Sequence, residues 1–231
     1  MQIKAIIING TGGSGKDTFV KFFTEAVAGT EKELKEKVVN FSTIEPEKKI
    51  LEIVGNHYVS VHSSSIKKAD AYRNCLSELK RHLDETYNVS DIAIRRVMED
   101  IIMHDYTHYD TVYLFIHCRE PKSIDTIKKL ITESYPDEYV FKKFRVDVGV
   151  TTLLVRGRVM PYRYHNDSDR NVDDYEYDLI IDNSGLLNEL KIAATAYYKQ
   201  IISDLDTNIL YGSLICKKNT TEYSTPNFNE C

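Results

Sequence analysis

The sequence predicts an α/β protein in which a parallel β-sheet is covered by helices on both faces. Three observations carry that expectation. Short apolar runs alternate with helical stretches along most of the chain. The first run, Lys4–Asn9, leads at once into a glycine-rich loop and a helix. A central run, TVYLFIHC, is apolar at nearly every position, as expected of a strand buried on both faces. The length of 231 residues suits one domain with a small inserted segment.

Taken in order, Lys4–Asn9 reads as the first strand. KDTFVKFFTEAVAG has helical spacing and stops at Gly29. KVVNFST is the second strand, and EPEKKILEIVG a short helix from Pro46 to Gly55. Residues 66–107 read as largely helical, in two pieces. TVYLFIHC is the third strand, and the helix after it opens at Pro121. TTLLVR and YDLIIDNSG are the last two strands, and LLNELKIAATAYYKQIISDL is a long closing helix. Between those strands, residues 156–177 are polar and carry Arg156, Arg158, Arg163 and Arg170. This segment reads either as a mobile lid or as a long surface loop. The domain is expected to span residues 1–205, and 206–231 to form a polar, partly disordered tail.

Composition narrows the function. The net charge of −5 argues against a broad surface for polymeric nucleic acid. No apolar run approaches the roughly 20 residues that span a membrane, and no basic-then-apolar leader opens the chain. Cys75, Cys118, Cys216 and Cys231 lie far apart without paired metal spacing, as expected of reduced thiols in a cytoplasmic protein. A homodimer is compatible with this composition.

The loop NGTGGSGKDTF is the most informative stretch. Gly10, Gly15 and Lys16 have the spacing of a phosphate loop, between a strand and a helix as that motif requires. Glycines at Gly10, Gly12, Gly13 and Gly15, with Thr11 and Ser14 between them, let backbone N–H groups converge on phosphate oxygens. The helix N-terminus adds its positive end, and Lys16 a full charge that can follow a transferring phosphoryl group. Asp17 stands where the general motif has a hydroxyl residue, and Thr18 follows. Two roles are open to Asp17: membership of a metal shell beside the phosphates, or a favourable charge at the helix N-terminus. Thr18 is then the candidate metal-holding hydroxyl. No Asn-Lys-x-Asp or Leu-Ser-Gly-Gly motif accompanies the loop, which disfavours a GTPase or a transporter ATPase.

GSGKDT resembles the loop of phage and bacterial deoxynucleoside monophosphate kinases, and more loosely that of adenylate kinase relatives. Animal-type phosphomevalonate kinases also carry Gly-Lys-Asp. FIHCREP is similar to the third strand of such kinases, and NDSDRNVDDYEYDLIIDNSGLLNEL to their lid exit, last strand and base-side loop. The resemblance covers the first 20 residues and about 110–190; the middle matches in order and helical character. It implies a three-layer P-loop NTPase fold with strand order 2-3-1-4-5, a helical acceptor region at about 45–107 and a lid at about 156–177. It also implies magnesium-dependent phosphoryl transfer from ATP to a small acceptor, usually a nucleoside monophosphate. The third strand of the family often ends in an aspartate that orients magnesium; here His117 and Cys118 occupy that stretch and the first acid is Glu120.

Several residues become candidates on this basis. Arg119 follows the third strand at the sheet's C-terminal edge, where a guanidinium can grip an acceptor phosphate or form a structural ion pair. Arg73 lies on the helical segment that covers the acceptor in these kinases; a solvated arginine is the alternative. Arg156 and Arg158, nearest the strand end, are the lid arginines expected to stabilise charge in transfer. Asn166 and Asp169 are assigned to the acceptor side. Ser42, with Thr43, ends the second strand and either binds the acceptor or caps the next helix. Asn183, Ser184 and Gly185 correspond to the loop that packs on the donor base, or form a plain turn. His104, His108 and His117 form no closed ligand set and are expected to be ordinary core or surface histidines. A kinase of a non-nucleotide phosphorylated metabolite, and a nucleotide-binding regulatory protein without transfer, are the alternative functions.

Overall fold

The computed structural model describes residues 1–30, 32, 34–58, 70–136, 139–141, 144–157 and 171–203. Its strands are β1 (Gln2–Asn9), β2 (Glu36–Ser42), β3 (Thr111–His117), β4 (Tyr139–Phe141), β5 (Phe144–Gly157) and β6 (Leu179–Asn183). Five of them pair in parallel in the order β2-β3-β1-β5-β6. Counting only these five, the order is the expected 2-3-1-4-5. The register places Ile3, Ala5 and Ile7 opposite Val112, Leu114 and Ile116.

Strand side chains alternate between faces, and both faces are apolar. Ile3, Ala5, Ile7, Leu114 and Ile116 pack under helices α4 (Val89–Asp100) and α5 (Pro121–Ser134) through Ile94, Met98, Ile124, Ile127 and Ile131. Ile6, Ile8, Tyr113 and Phe115 face α1 (Lys16–Ala28) and α6 (Leu187–Ser203) through Phe19, Phe23, Leu190 and Ala194. Phe23 sits edge-on to Tyr113, Phe115 and Tyr198, with centroids 5.0–5.5 Å away. Such buried aromatics each remove 150–250 Å² from water, so the sheet and its two helical layers form the rigid body of the molecule. Helices α2 (Glu45–Tyr58) and α3 (Asp70–Tyr87) lie in the expected acceptor region.

Three features differ from the sequence reading. Helix α2 runs through Gly55 to Tyr58; an interior glycine costs only about 1 kcal/mol, which neighbouring turns can offset. Strand β5 begins at Phe144, and its first residues pair antiparallel with β4, a hairpin with no sequence signal. The segment 156–177 is not wholly a polar insert: Arg156 and Gly157 end β5. Val172, which opens a short 3₁₀ turn (Val172–Asp174), and Tyr177 are buried core residues. Residues 158–170, the rest of that segment, and the tail from 204 lie outside the described residues. Among the described residues no helix is long and apolar enough to cross a membrane.

Candidate functional site

The loop between β1 and α1 is built around glycines in conformations that other residues avoid. Gly10, Gly13 and Gly15 have φ of +144°, +79° and +100°. A side chain at Gly10 would strike the Val155 carbonyl oxygen, and one at Gly15 the Asn183 amide. Gly10 N–H donates to Asn9 Oδ1 at 2.6 Å, and Ser14 N–H to the Thr11 carbonyl at 3.1 Å. Asn9 is fully buried; its Nδ2 donates to Tyr177 Oη at 2.7 Å and to the Arg119 carbonyl at 3.2 Å. Tyr177 Oη donates onward to the Val172 carbonyl at 2.8 Å. One amide thus ties the ends of β1 and β3 to the 172–177 segment.

Two further strands hold the loop. Asn183 Nδ2 donates to the Ser14 carbonyl at 2.8 Å. Gly157, at the end of β5, lies so close that a Cβ there would stand 2.7 Å from Ser14 Cα. Gly185 sits beside the start of α6; its Cβ would overlap the Glu189 carboxylate, which accepts from the Leu186 N–H at 2.8 Å. Lys16 is buried, and its Nζ donates to the carbonyls of Gly10 and Thr11.

From this loop a cavity of about 970 Å³ extends toward α2 and α3. Gly13, Gly15, Lys16, Asp17 and Thr18 form its loop end. Ser42, Thr43, Lys48, Ser77, Lys80, His117, Arg119 and Glu120 line the remainder. It opens at the C-terminal ends of β1, β2 and β3, beside the place where strand order reverses, the position at which open parallel sheets receive ligands. The amides in the first turn of α1 lack intrahelical acceptors by geometry, so the loop end suits a run of phosphate oxygens.

Lys80 is the least expected member of the lining. It is only 5% exposed. Its Nζ is paired with Asp84, donates to Ser90 Oγ at 3.2 Å and lies 3.8 Å from Glu120 Oε2. Burial alone would push this ammonium down, but Glu120 and Asp84 outweigh it and hold the group above the usual lysine range. Asp84 also accepts the Ser90 N–H at 2.8 Å, in the first turn of α4. Glu47, 0% exposed, has no hydrogen-bond partner for either carboxylate oxygen among the described residues. Burial raises its pKa, against the opposing pull of its own backbone and Lys80. Sequence periodicity carries no signal for these buried charges, because each sits at a position that also suits a solvated helix face.

His117, expected to be ordinary, lines the cavity at the end of β3. Its Nε2 lies 2.7 Å from Asn40 Oδ1 and its Nδ1 3.7 Å from Asp17 Oδ1. Burial pushes the imidazole down to about 4, Asp17 opposing and Lys16, Lys48 and Arg119 adding to the shift. Its position after an apolar strand was the available signal.

Of the predicted site residues, the cavity brings together Gly13, Gly15, Lys16, Asp17, Thr18, Ser42 and Arg119. Gly10, Thr11, Ser14 and Asn183 shape the loop from behind, and Gly12 completes its turn. Arg156 does not join them: Nε and a terminal guanidinium nitrogen hold Asp173 Oδ1 at 3.0 and 2.9 Å, and it is not among the lining residues. The acid Asp173 lies seventeen residues on in the sequence. Arg73 lies on α3, but its side chain, like Arg158, Asn166 and Asp169, is outside the described residues. Among the described residues no cluster of three or more His, Cys, Asp or Glu could hold a metal unaided.

Fold and site together define an α/β protein with a glycine-loop cavity at the C-terminal edge of its parallel sheet. No protein-family model and no curated protein matches the chain.

Proposed function

We propose that the protein transfers a phosphoryl group from ATP to a small acceptor, with a nucleoside monophosphate as the acceptor class and the three-layer P-loop NTPase fold as its scaffold. One observation carries the reading. A loop of positive-φ glycines, backed by β5 and β6, opens into the same cavity as Arg119 and Lys80. Donor phosphates at the loop end and an acceptor beneath α2 and α3 would then share one enclosure, which in-line transfer requires. The loop amides and Lys16 would hold the triphosphate, with Lys16 exchanging the Gly10 and Thr11 carbonyls for phosphate oxygens. Arg119 would orient the acceptor phosphate. Magnesium, when bound with ATP, supplies neutralisation of the triphosphate charge; the donors placed to meet it are Asp17 and Thr18. Catalysis would come from positioning and fixed charge, with no covalent intermediate.

The test is ADP release over a panel of nucleoside monophosphates and phosphorylated non-nucleotide metabolites. Turnover with a monophosphate supports the reading, and turnover only with a metabolite moves the assignment to that acceptor class. ATP binding without turnover supports a nucleotide-binding regulator, a reading favoured by His117 in place of a third-strand aspartate. Lys16→Met is expected to lower transfer by about 10²–10³-fold, the scale of losing one preorganised charge-stabilising donor. Near-normal turnover in a folded Lys16→Met protein refutes the kinase assignment.

A further inference from the structure

We propose that His117 Nδ1 and Asp17 form a two-residue divalent-cation site at the mouth of the loop, completed by phosphate oxygens of the bound nucleotide. The inference rests on the reading of the loop as a triphosphate site.

The geometry begins with the tautomer. Asn40 Oδ1 is an acceptor 2.7 Å from His117 Nε2, so Nε2 carries the hydrogen. In a neutral ring this leaves Nδ1 with its lone pair, and that nitrogen faces Asp17 Oδ1 at 3.7 Å. A lone pair and a carboxylate oxygen directed at one another repel unless something electropositive lies between them. The hydrogen bond that Nε2 donates to Asn40 Oδ1 is the arrangement that typically fixes a metal-binding imidazole.

The two groups come from different elements. His117 ends β3 and is held by the sheet, its side chain 11% exposed. Asp17, in the first turn of α1, is 93% exposed and free to turn. Adjacent donors about 2.1 Å from one cation stand roughly 3 Å apart. Rotation of the exposed carboxylate closes the difference from 3.7 Å without moving the sheet. Both groups line the cavity beside Lys16 and Thr18, so nucleotide phosphates at the loop would supply the remaining oxygens. Two protein donors without phosphate are too few for tight binding, in keeping with the absence of a larger cluster among the described residues.

An imidazole donor changes the metal preference. All-oxygen sites suit magnesium and manganese alike; a nitrogen donor favours first-row metals over magnesium, cobalt more than manganese. The site is therefore expected to bind Mn2+ more tightly than Mg2+ by a margin that depends on His117.

The experiment uses the full chain labelled with [15N]histidine, the β,γ-methylene analogue of ATP and Mn2+ at pH 8. Analogue binding is first titrated by calorimetry without Mn2+. Electron spin-echo modulation then reads whether a histidine nitrogen is bonded to manganese. The expected result is a 15N coupling in the ternary complex that is lost in His117→Gln. Mn2+ affinity should fall about tenfold or more in His117→Gln and in Asp17→Asn, and the Mn2+ over Mg2+ preference should shrink in His117→Gln. Asp17→Asn keeps the test valid should the buried His117 substitution disturb folding. If the analogue binds and no 15N coupling appears, or the coupling survives His117→Gln, the metal assignment is overturned. If the analogue does not bind the unmodified protein, the triphosphate reading fails, and the cation site with it.

Discussion

Gly157 offers a direct test of how the loop is held. Alanine there leaves the backbone unstrained, since only Gly10, Gly13 and Gly15 among the described glycines have positive φ, so its effect is steric. The new Cβ would stand 2.7 Å from Ser14 Cα and 3.2 Å from Ser14 Cβ. Carbon atoms prefer about 3.5–4.0 Å, so the two must separate by roughly 1 Å. Ser14 has little room to yield: it is buried, its N–H is bonded to Thr11 and its carbonyl to Asn183. Overpacking of this kind costs about 1–3 kcal/mol, or roughly 2–12 °C in Tm for a chain of this size. Displacing the loop by about 1 Å would lengthen one or more amide contacts to phosphate beyond hydrogen-bonding range. Such charge-assisted bonds are worth about 1.5–3 kcal/mol each, so ATP affinity should fall about ten- to a hundredfold. Gly149 on the same strand is the control, because nothing lies within 4 Å of a Cβ there; Gly149→Ala should leave binding unchanged and stability equal or slightly higher. Thermal melts and calorimetric ATP titration measure both variants. If Gly157→Ala binds ATP within twofold of the unmodified protein at an unchanged Tm, the claim that β5 supports the loop is wrong.

Other experiments test Arg119 in the cavity and the buried groups Glu47 and Cys118. Arg119→Lys keeps the charge but loses the planar fork, so acceptor saturation should weaken by about one to two orders of magnitude while ATP affinity changes little; loss of ATP binding with acceptor use intact would move Arg119 to the donor end. Glu47 has a raised pKa in the folded protein, so the native state holds its proton to higher pH than the unfolded chain. Its contribution to stability therefore declines as pH rises from the unfolded value toward the folded one and stays low above it. Glu47→Gln should gain stability relative to the unmodified protein between pH 4.5 and pH 8 in urea titrations, and an equal difference at both pH values would contradict the assignment. Burial pushes the Cys118 thiol up to about 12, leaving about one in 10⁴ ionised at pH 8. Iodoacetamide should label the exposed Cys75 and spare Cys118 until urea unfolds the chain; rapid native labelling of Cys118, read by peptide mass mapping, would show that the pocket around it opens.

The parallel sheet was legible because its strands are buried on both faces. Ala5 to Ile8 and Val112 to Ile116 are apolar at successive positions, a pattern with few alternatives once glycines and helices flank it. The β4–β5 hairpin was not legible, since Tyr139–Phe141 is too short for periodicity to register. Val172 and Tyr177 were read as part of a polar insert because DDYEY surrounds them. What places them in the core is the fully buried Asn9, 168 residues from Tyr177, and no local pattern encodes a bond of that span. Arg156 lies at the strand end, yet its guanidinium is paired with Asp173, seventeen residues on, a partner that no local pattern marks.

The loop end of the cavity could be read and the far end could not, and the difference is physical. A phosphate loop is specified by backbone conformation, so its requirements fall on consecutive glycines that stand out in a sequence. The far end depends on charged groups set in and around buried Lys80, with Glu47 buried nearby and Asp84 and Glu120 only part-exposed beside it. Lys80, Asp84, Glu120 and Glu47 lie on three different segments, and singly each resembles a solvated residue. A buried lysine flanked by two carboxylates stays charged, and removing one member of such a set typically costs several kcal/mol because its charge compensation is lost. Lys80→Met should therefore destabilise the protein more than Lys48→Met, whose ion pair with Glu45 at 3.5 Å is about two-fifths exposed and worth at most about 1 kcal/mol. Double substitution of Lys80 by Met and Asp84 by Leu should recover part of that loss, because it removes the stranded charge together with its partner. Urea titration of the unmodified protein, Lys80→Met, Asp84→Leu, the double variant and Lys48→Met decides the matter. Strict additivity of the Lys80 and Asp84 effects would mean that the two do not act as one buried pair, and that α3 is held against the cavity by its apolar contacts alone.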